Sequence, residues 1–252
     1  MSSSGRAGAV FITGGEGDSG SGGELVLQAG TSSADSSGTG GRVVITTGEG
    51  SATSSGDLIV TSAKAGTYGM SGMVIMSTGD ATCGNSGAIY IGTGAGVSGR
   101  SGHVYLTAGT GDSGTGGEVV IKAGTSSADA AGTGGKLTIS SGSGTATSSG
   151  NLVLSTAESA VTGLVMLNSG DSSDGNSGAL YIGSGAGVGG RGGSVYIAGG
   201  SGSSGAGGEL ILTAGISTSL SGGKVTILTG SNAAGSSGSI LFSTPDSAAS
   251  GV

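Results

Sequence analysis

One short phrase recurs along the whole chain: a glycine, an apolar run of five or six residues, and another glycine about two residues later. A repeat of this kind constrains the architecture before any other feature, because one unit cannot bury its apolar face alone and depends on its neighbours. With the residue after the first glycine as position one, units begin at Ala9, Glu24, Arg42, Asp57, Met73, Ala88, His103, Glu118, Lys136, Asn151, Leu164, Ala179, Ser194, Glu209, Lys224 and Ser239. That makes about sixteen units, most of them roughly 15 residues long. The units opened by Glu24 and Glu118 are longer, running 18 residues to Arg42 and Lys136, and both carry Thr-Ser-Ser-Ala-Asp, at 31–35 and 125–129. A higher-order repeat follows from this. Gly84-Asn85-Ser86-Gly87-Ala88-Ile89-Tyr90-Ile91-Gly92 returns as Gly175-Asn176-Ser177-Gly178-Ala179-Leu180-Tyr181-Ile182-Gly183. A six-unit block near 24–117 is therefore duplicated near 118–208, with a partial third copy at 209–252, and residues 1–252 read as one repeat domain.

Positions two and four are aliphatic almost throughout, as in Leu25/Leu27, Val43/Ile45, Val119/Ile121 and Val195/Ile197. A period of two predicts a β-strand with one face turned inward. The remaining Gly, Ser, Thr and Ala cannot build a second bulky wall, so the aliphatics face a thin interior lined by Gly-rich backbone. The expected fold is all-β: a parallel β-solenoid, or β-helix, of about sixteen 15-residue coils with one main strand per coil and a thin core. Position one points to the neighbours. Glu24, Arg42 and Asp57 follow one another, as do Glu118 and Lys136, and Glu209 and Lys224, so opposite charges would meet if coil i stacks on coil i+1. Tyr90 with Tyr105, and Tyr181 with Tyr196, would meet in the same way. A two-strand, 30-residue coil is the second possibility. Stacked directly, the coils would give a rod on the order of 75 Å long. Its ends carry no evident cap, although Pro245 can blunt the last edge because it donates nothing to a ladder.

Gly supplies 62 residues, and the lack of a three-residue period argues against collagen. The net charge is −7, so no basic stripe is present to neutralise phosphates, and nucleic acid is not an expected partner. Cys83 is alone, which excludes an internal disulfide and any multi-Cys metal site. No apolar stretch approaches the roughly 18 residues that a membrane span needs, and residues 1–6 contain no apolar signal region. The chain reads as soluble.

Several motifs imitate functional sites. Gly94-Ala95-Gly96-Val97-Ser98-Gly99 matches G-x-G-x-x-G, as do the stretches beginning at Gly15, Gly109, Gly185 and Gly200. Each precedes another apolar run instead of a helix, so the pyrophosphate-binding helix N-terminus is missing and the glycines read as structural. Asp18, Asp112, Asp171 and Asp174 are too sparse for a calcium β-roll, which needs an acidic residue in every turn. Arg100 and Arg191 occupy equivalent loop positions with no carboxylates grouped around them. His103, the one histidine, reads as a rung of the charge ladder. No catalytic residue, cofactor site or metal site is expected, and the chain is read as non-enzymatic.

Position three carries the informative surface. It would point outward, yet it holds Val26, Val44, Ile59, Ile75, Tyr90, Tyr105, Val120, Val153, Met166, Tyr181, Tyr196, Ile211 and Leu241. An apolar stripe of that length marks an assembly face, and its simplest partner is another copy of the chain.

The 15-residue units with a thin interior resemble the β-solenoid antifreeze proteins. The Gly-Gly-x-Val-x-Leu-x-x-Gly wording resembles Gly/Ser/Thr-rich repeats in surface and cell-covering proteins of algae and other protists. The second resemblance implies a structural, self-assembling or filament-forming module, extracellular or at the cell surface. The first implies ice binding through a flat Thr/Ser/Gly/Ala face, with Thr46, Thr61, Thr107, Thr156, Thr213 and Thr229 at or just past the run ends as the candidate array. Gln28, Gly92, Lys122, Asn168, Ala198 and Leu228 interrupt that array. A polysaccharide surface is a further alternative partner.

Overall fold

Most apolar runs end at one glycine, the next run starts after another, and in most units these two glycines meet. A computed structural model describes residues 7–33, 37–127 and 132–245. Gly30, which closes the run opened by Glu24, accepts a 2.7 Å hydrogen bond from the N–H of Gly41, the residue before Arg42. The segment between them is pinched into a loop with a two-glycine neck. Among the described residues all ten backbone–backbone hydrogen bonds join glycine to glycine, and nine of them are necks; the tenth, Gly69 to Gly66, closes a tight turn.

The chain divides into two units, Met1–Lys122 and Ala123–Val252, with the break inside the first run of the second sequence block. The first unit has Gly–Gly necks at 15/23, 30/41, 48/56 and 109/117. The second has them at 124/135, 142/150, 200/208, 215/223 and 230/238. Most necks span eight residues, whereas Gly30–Gly41 and Gly124–Gly135 span eleven, so the extra residues of the two long units lie in the loop and leave the run unchanged. The Ala34-Asp35 and Ala128-Asp129 parts of those insertions fall outside the described residues.

The necks need glycine because the two backbones approach too closely for a side chain. A Cβ at Gly23 would stand 2.7 Å from the Gly15 nitrogen, and one at Gly117 would stand 3.0 Å from the Ala108 Cβ. The side chains that gain most shelter are small and sit beside these contacts. Ala29, Ala123 and Ala214, equivalent positions in the three sequence copies, are half-buried against Gly41, Gly135 and Gly223.

The expected parallel β-solenoid is corrected by this arrangement. The described residues contain no helix and no β-strand, and the chain is largely irregular coil with recurrent bends. Among the described residues no ladder of 15-residue coils forms, nor one of 30, because the backbone bonds close loops instead of reaching the next run. The thin core is absent too: no described residue is buried. The supposed charge ladder fails in parallel, since Glu24, Arg42, Asp57, Glu118, Lys136, Glu209 and Lys224 form no ion pair. Tyr90 makes no ring contact with Tyr105, nor Tyr181 with Tyr196; the one ring contact among the described residues is between His103 and Tyr105.

Part of the sequence pattern does survive. His103 and Tyr105 are two residues apart and their ring centroids lie 5.9 Å from each other, so positions one and three share a side of the run. At this run the period of two that suggested strands is kept locally, without the pairing that would make a sheet.

Candidate functional site

The loops explain the G-x-G-x-x-G stretches without a ligand. The first glycine of the motif is the neck acceptor at Gly15, Gly109 and Gly200. The second lies against the carbonyl four residues further on: a Cβ at Gly96 would be 2.7 Å from the Arg100 oxygen, and one at Gly187 2.5 Å from the Arg191 oxygen. The third lies at the bend, where Gly114 takes φ +106° and Ser98 and Gly189 just before it take +59° and +75°. The first glycine thus closes the loop at Gly15, Gly109 and Gly200, and the second permits close backbone approach, with the Arg100 and Arg191 carbonyls as the neighbours of Gly96 and Gly187.

Two necks use a hydroxyl instead. Thr93 Oγ1 donates to the Gly102 carbonyl at 3.2 Å, and Ser184 Oγ donates to the Gly193 carbonyl at 2.7 Å. Sequence reasoning missed these residues, although a signal existed: Thr93 and Ser184 stand immediately before the first motif glycine, at block-equivalent positions. Loop bends carry further local bonds, with Ser217 Oγ accepting from Leu220 N–H at 2.9 Å and Asn232 Oδ1 from Ala234 N–H at 2.8 Å.

The position-three residues named above are all exposed. In the run 89–91, Ile89 is 49% exposed, Tyr90 94% and Ile91 74%; in 119–121, Val119 is 48%, Val120 71% and Ile121 60% exposed. Positions two and four are thus the more sheltered side and position three the more open one. At Val26 and Val44 the difference from position four vanishes. Among the described residues no other run covers these side chains.

Of the threonines proposed as an array, Thr156 and Thr229 lie against glycines at loop closures, with carbon contacts to a Cβ placed on Gly163 at 3.5 Å and on Gly238 at 3.2 Å. Thr46, Thr61, Thr107 and Thr213 are exposed.

Among the described residues no group of His, Cys, Asp and Glu is placed to hold a metal. Asp18 accepts a 3.3 Å bond from the neighbouring Ser19 hydroxyl. Cys83 is a free, exposed thiol. Leu241, Phe242, Ser243 and Thr244 line an open depression with no titratable group in its wall. No described helix is long and apolar enough to cross a membrane. No family model, curated protein or solved structure matches the chain.

Proposed function

We propose that the chain is a non-enzymatic structural module that assembles with copies of itself, outside the cell or at its surface. The observation that carries the reading is the set of exposed apolar side chains at position three, on a chain in which no described residue is buried. Exposed apolar area on this scale favours association, because water is released as it is covered. Self-association also suits a surface with few charges, since only 9% of the residues are charged and little like-charge repulsion has to be overcome.

Electron microscopy and sedimentation over a range of protein concentrations test this. Paired or filamentous species that grow with concentration are expected, and Ile75→Lys, which puts an ammonium at position three, should weaken them. Persistent monomers would overturn the reading, and thermal hysteresis from such monomers would move the assignment to ice binding.

A further inference from the structure

We infer that a second copy of this chain supplies the missing ladder: copies stack in parallel and in register, each apolar run pairing its backbone with the same run of the next copy. This rests on the assembly reading above and specifies its geometry.

The backbone carries the first argument. Every backbone–backbone bond among the described residues is spent on a Gly–Gly loop closure, and the runs 25–27, 119–121 and 195–197 make none. Side-chain exposure alternates along 119–121 and 195–197, and an apolar run with unpaired backbone groups is a template for another chain. A strand edge can be completed by an identical run, which brings the same aliphatic side chains into contact at positions two and four.

Area carries the second. The chain exposes 24892 Å². A folded monomer of this mass exposes only about 9,600 Å². The excess, on the order of 15,000 Å², far exceeds the ~1,600 Å² of a standard stable interface. One copy has the exposed area for contacts on more than one side, as a repeating stack requires.

Register carries the third. The necks come in two sizes, eleven residues at Gly30–Gly41 and eight at the following Gly48–Gly56. A shift by one run would set a long loop against a short one, whereas zero shift matches every loop and every glycine neck. Its cost is like-on-like charge at position one, Glu24 over Glu24 and Lys136 over Lys136. Positions two to four of these runs are uncharged, and exposed charges at the margin are screened by salt.

His103 is the only histidine, which makes the test unambiguous. Protein labelled with ¹³C at the histidine carbonyl is assembled and its carbon–carbon dipolar coupling measured by solid-state NMR. In-register stacking predicts a His103–His103 carbonyl spacing of about 4.8 Å. Dilution with unlabelled protein before assembly should remove most of the coupling. Assemblies without that coupling overturn the in-register stack and leave the assembly reading standing. Failure to assemble at any concentration overturns both.

Discussion

The loops 92–102 and 183–193 follow the same path in the two sequence copies, yet they differ at the residues that shape it. Both have a second-motif glycine pressed against a carbonyl, Gly96 on Arg100 and Gly187 on Arg191. Both close the neck through a hydroxyl, but Thr93 does so at 3.2 Å and Ser184 at 2.7 Å. At the bend the left-handed residue is Ser98 in one and Gly189 in the other. Neck and close approach are kept while the bend residue varies, which ranks the three contributions and gives them an order of expected effect.

The largest effect is expected where a new Cβ meets backbone. Gly187→Ala and Gly96→Ala would each force a carbonyl to move, and a strain of about 2 kcal/mol should raise the concentration needed for assembly roughly 30-fold. Gly190→Ala and Gly99→Ala, whose Cβ atoms would point into open space, should change it by less than about 0.5 kcal/mol. Sedimentation of the four variants separates the pairs. Equal effects at Gly187 and Gly190 would remove the close approach from the account.

A charge at position three comes next. Ile75→Lys, and Met166→Lys in the second unit, should each weaken assembly by about tenfold, or ~1.4 kcal/mol, through the cost of covering an ammonium. Glu158→Lys, at an exposed polar site away from the runs, should leave it unchanged. Assembly indifferent to all three would place the contact on another face.

The neck hydroxyls follow. Ser184→Ala removes the shorter bond and Thr93→Val the longer one, and because both sites are exposed the losses should stay at or below about 1 kcal/mol. Amide exchange in each loop should quicken, more so for Ser184→Ala. Faster exchange only in Thr93→Val would reverse the order of the two necks.

What could be read from sequence was local. The alternation at Ile89-Tyr90-Ile91 reappears as a difference in exposure, and the second glycine of G-x-G-x-x-G lies close to a backbone carbonyl. The step from alternation to a solenoid did not hold, because period two reports only which side chains share a face and is silent on which run supplies the pairing backbone. Opposite charges at Glu24 and Arg42 suggested a neighbour, but exposed pairs contribute too little to fix one. The Gly–Gly necks decide the loop path, and their partners, eight or eleven residues apart, cannot be told from the many other glycines by composition. Thr93 and Ser184 carried one signal, their equivalent places before Gly94 and Gly185, but a hydroxyl before a glycine recurs widely in this chain, and only geometry shows which ones reach a carbonyl.

The smallest effect distinguishes the bends themselves. Ser98 holds φ +59°, a region that costs an L-residue about 1–2 kcal/mol and glycine almost nothing. Ser98→Gly removes that strain but adds chain entropy to the unordered state, worth about 0.4–1 kcal/mol in the opposite sense. The net gain should be about 0.5 kcal/mol, and Gly189→Ser should lose a similar amount. Because the two substitutions exchange the residues of equivalent bends, exchange protection in loop 92–102 should rise as that in 183–193 falls, and the double variant should assemble like the parent. A double variant that departs from the parent would mean that the two loops, alike in path, differ in what they contact once copies have joined.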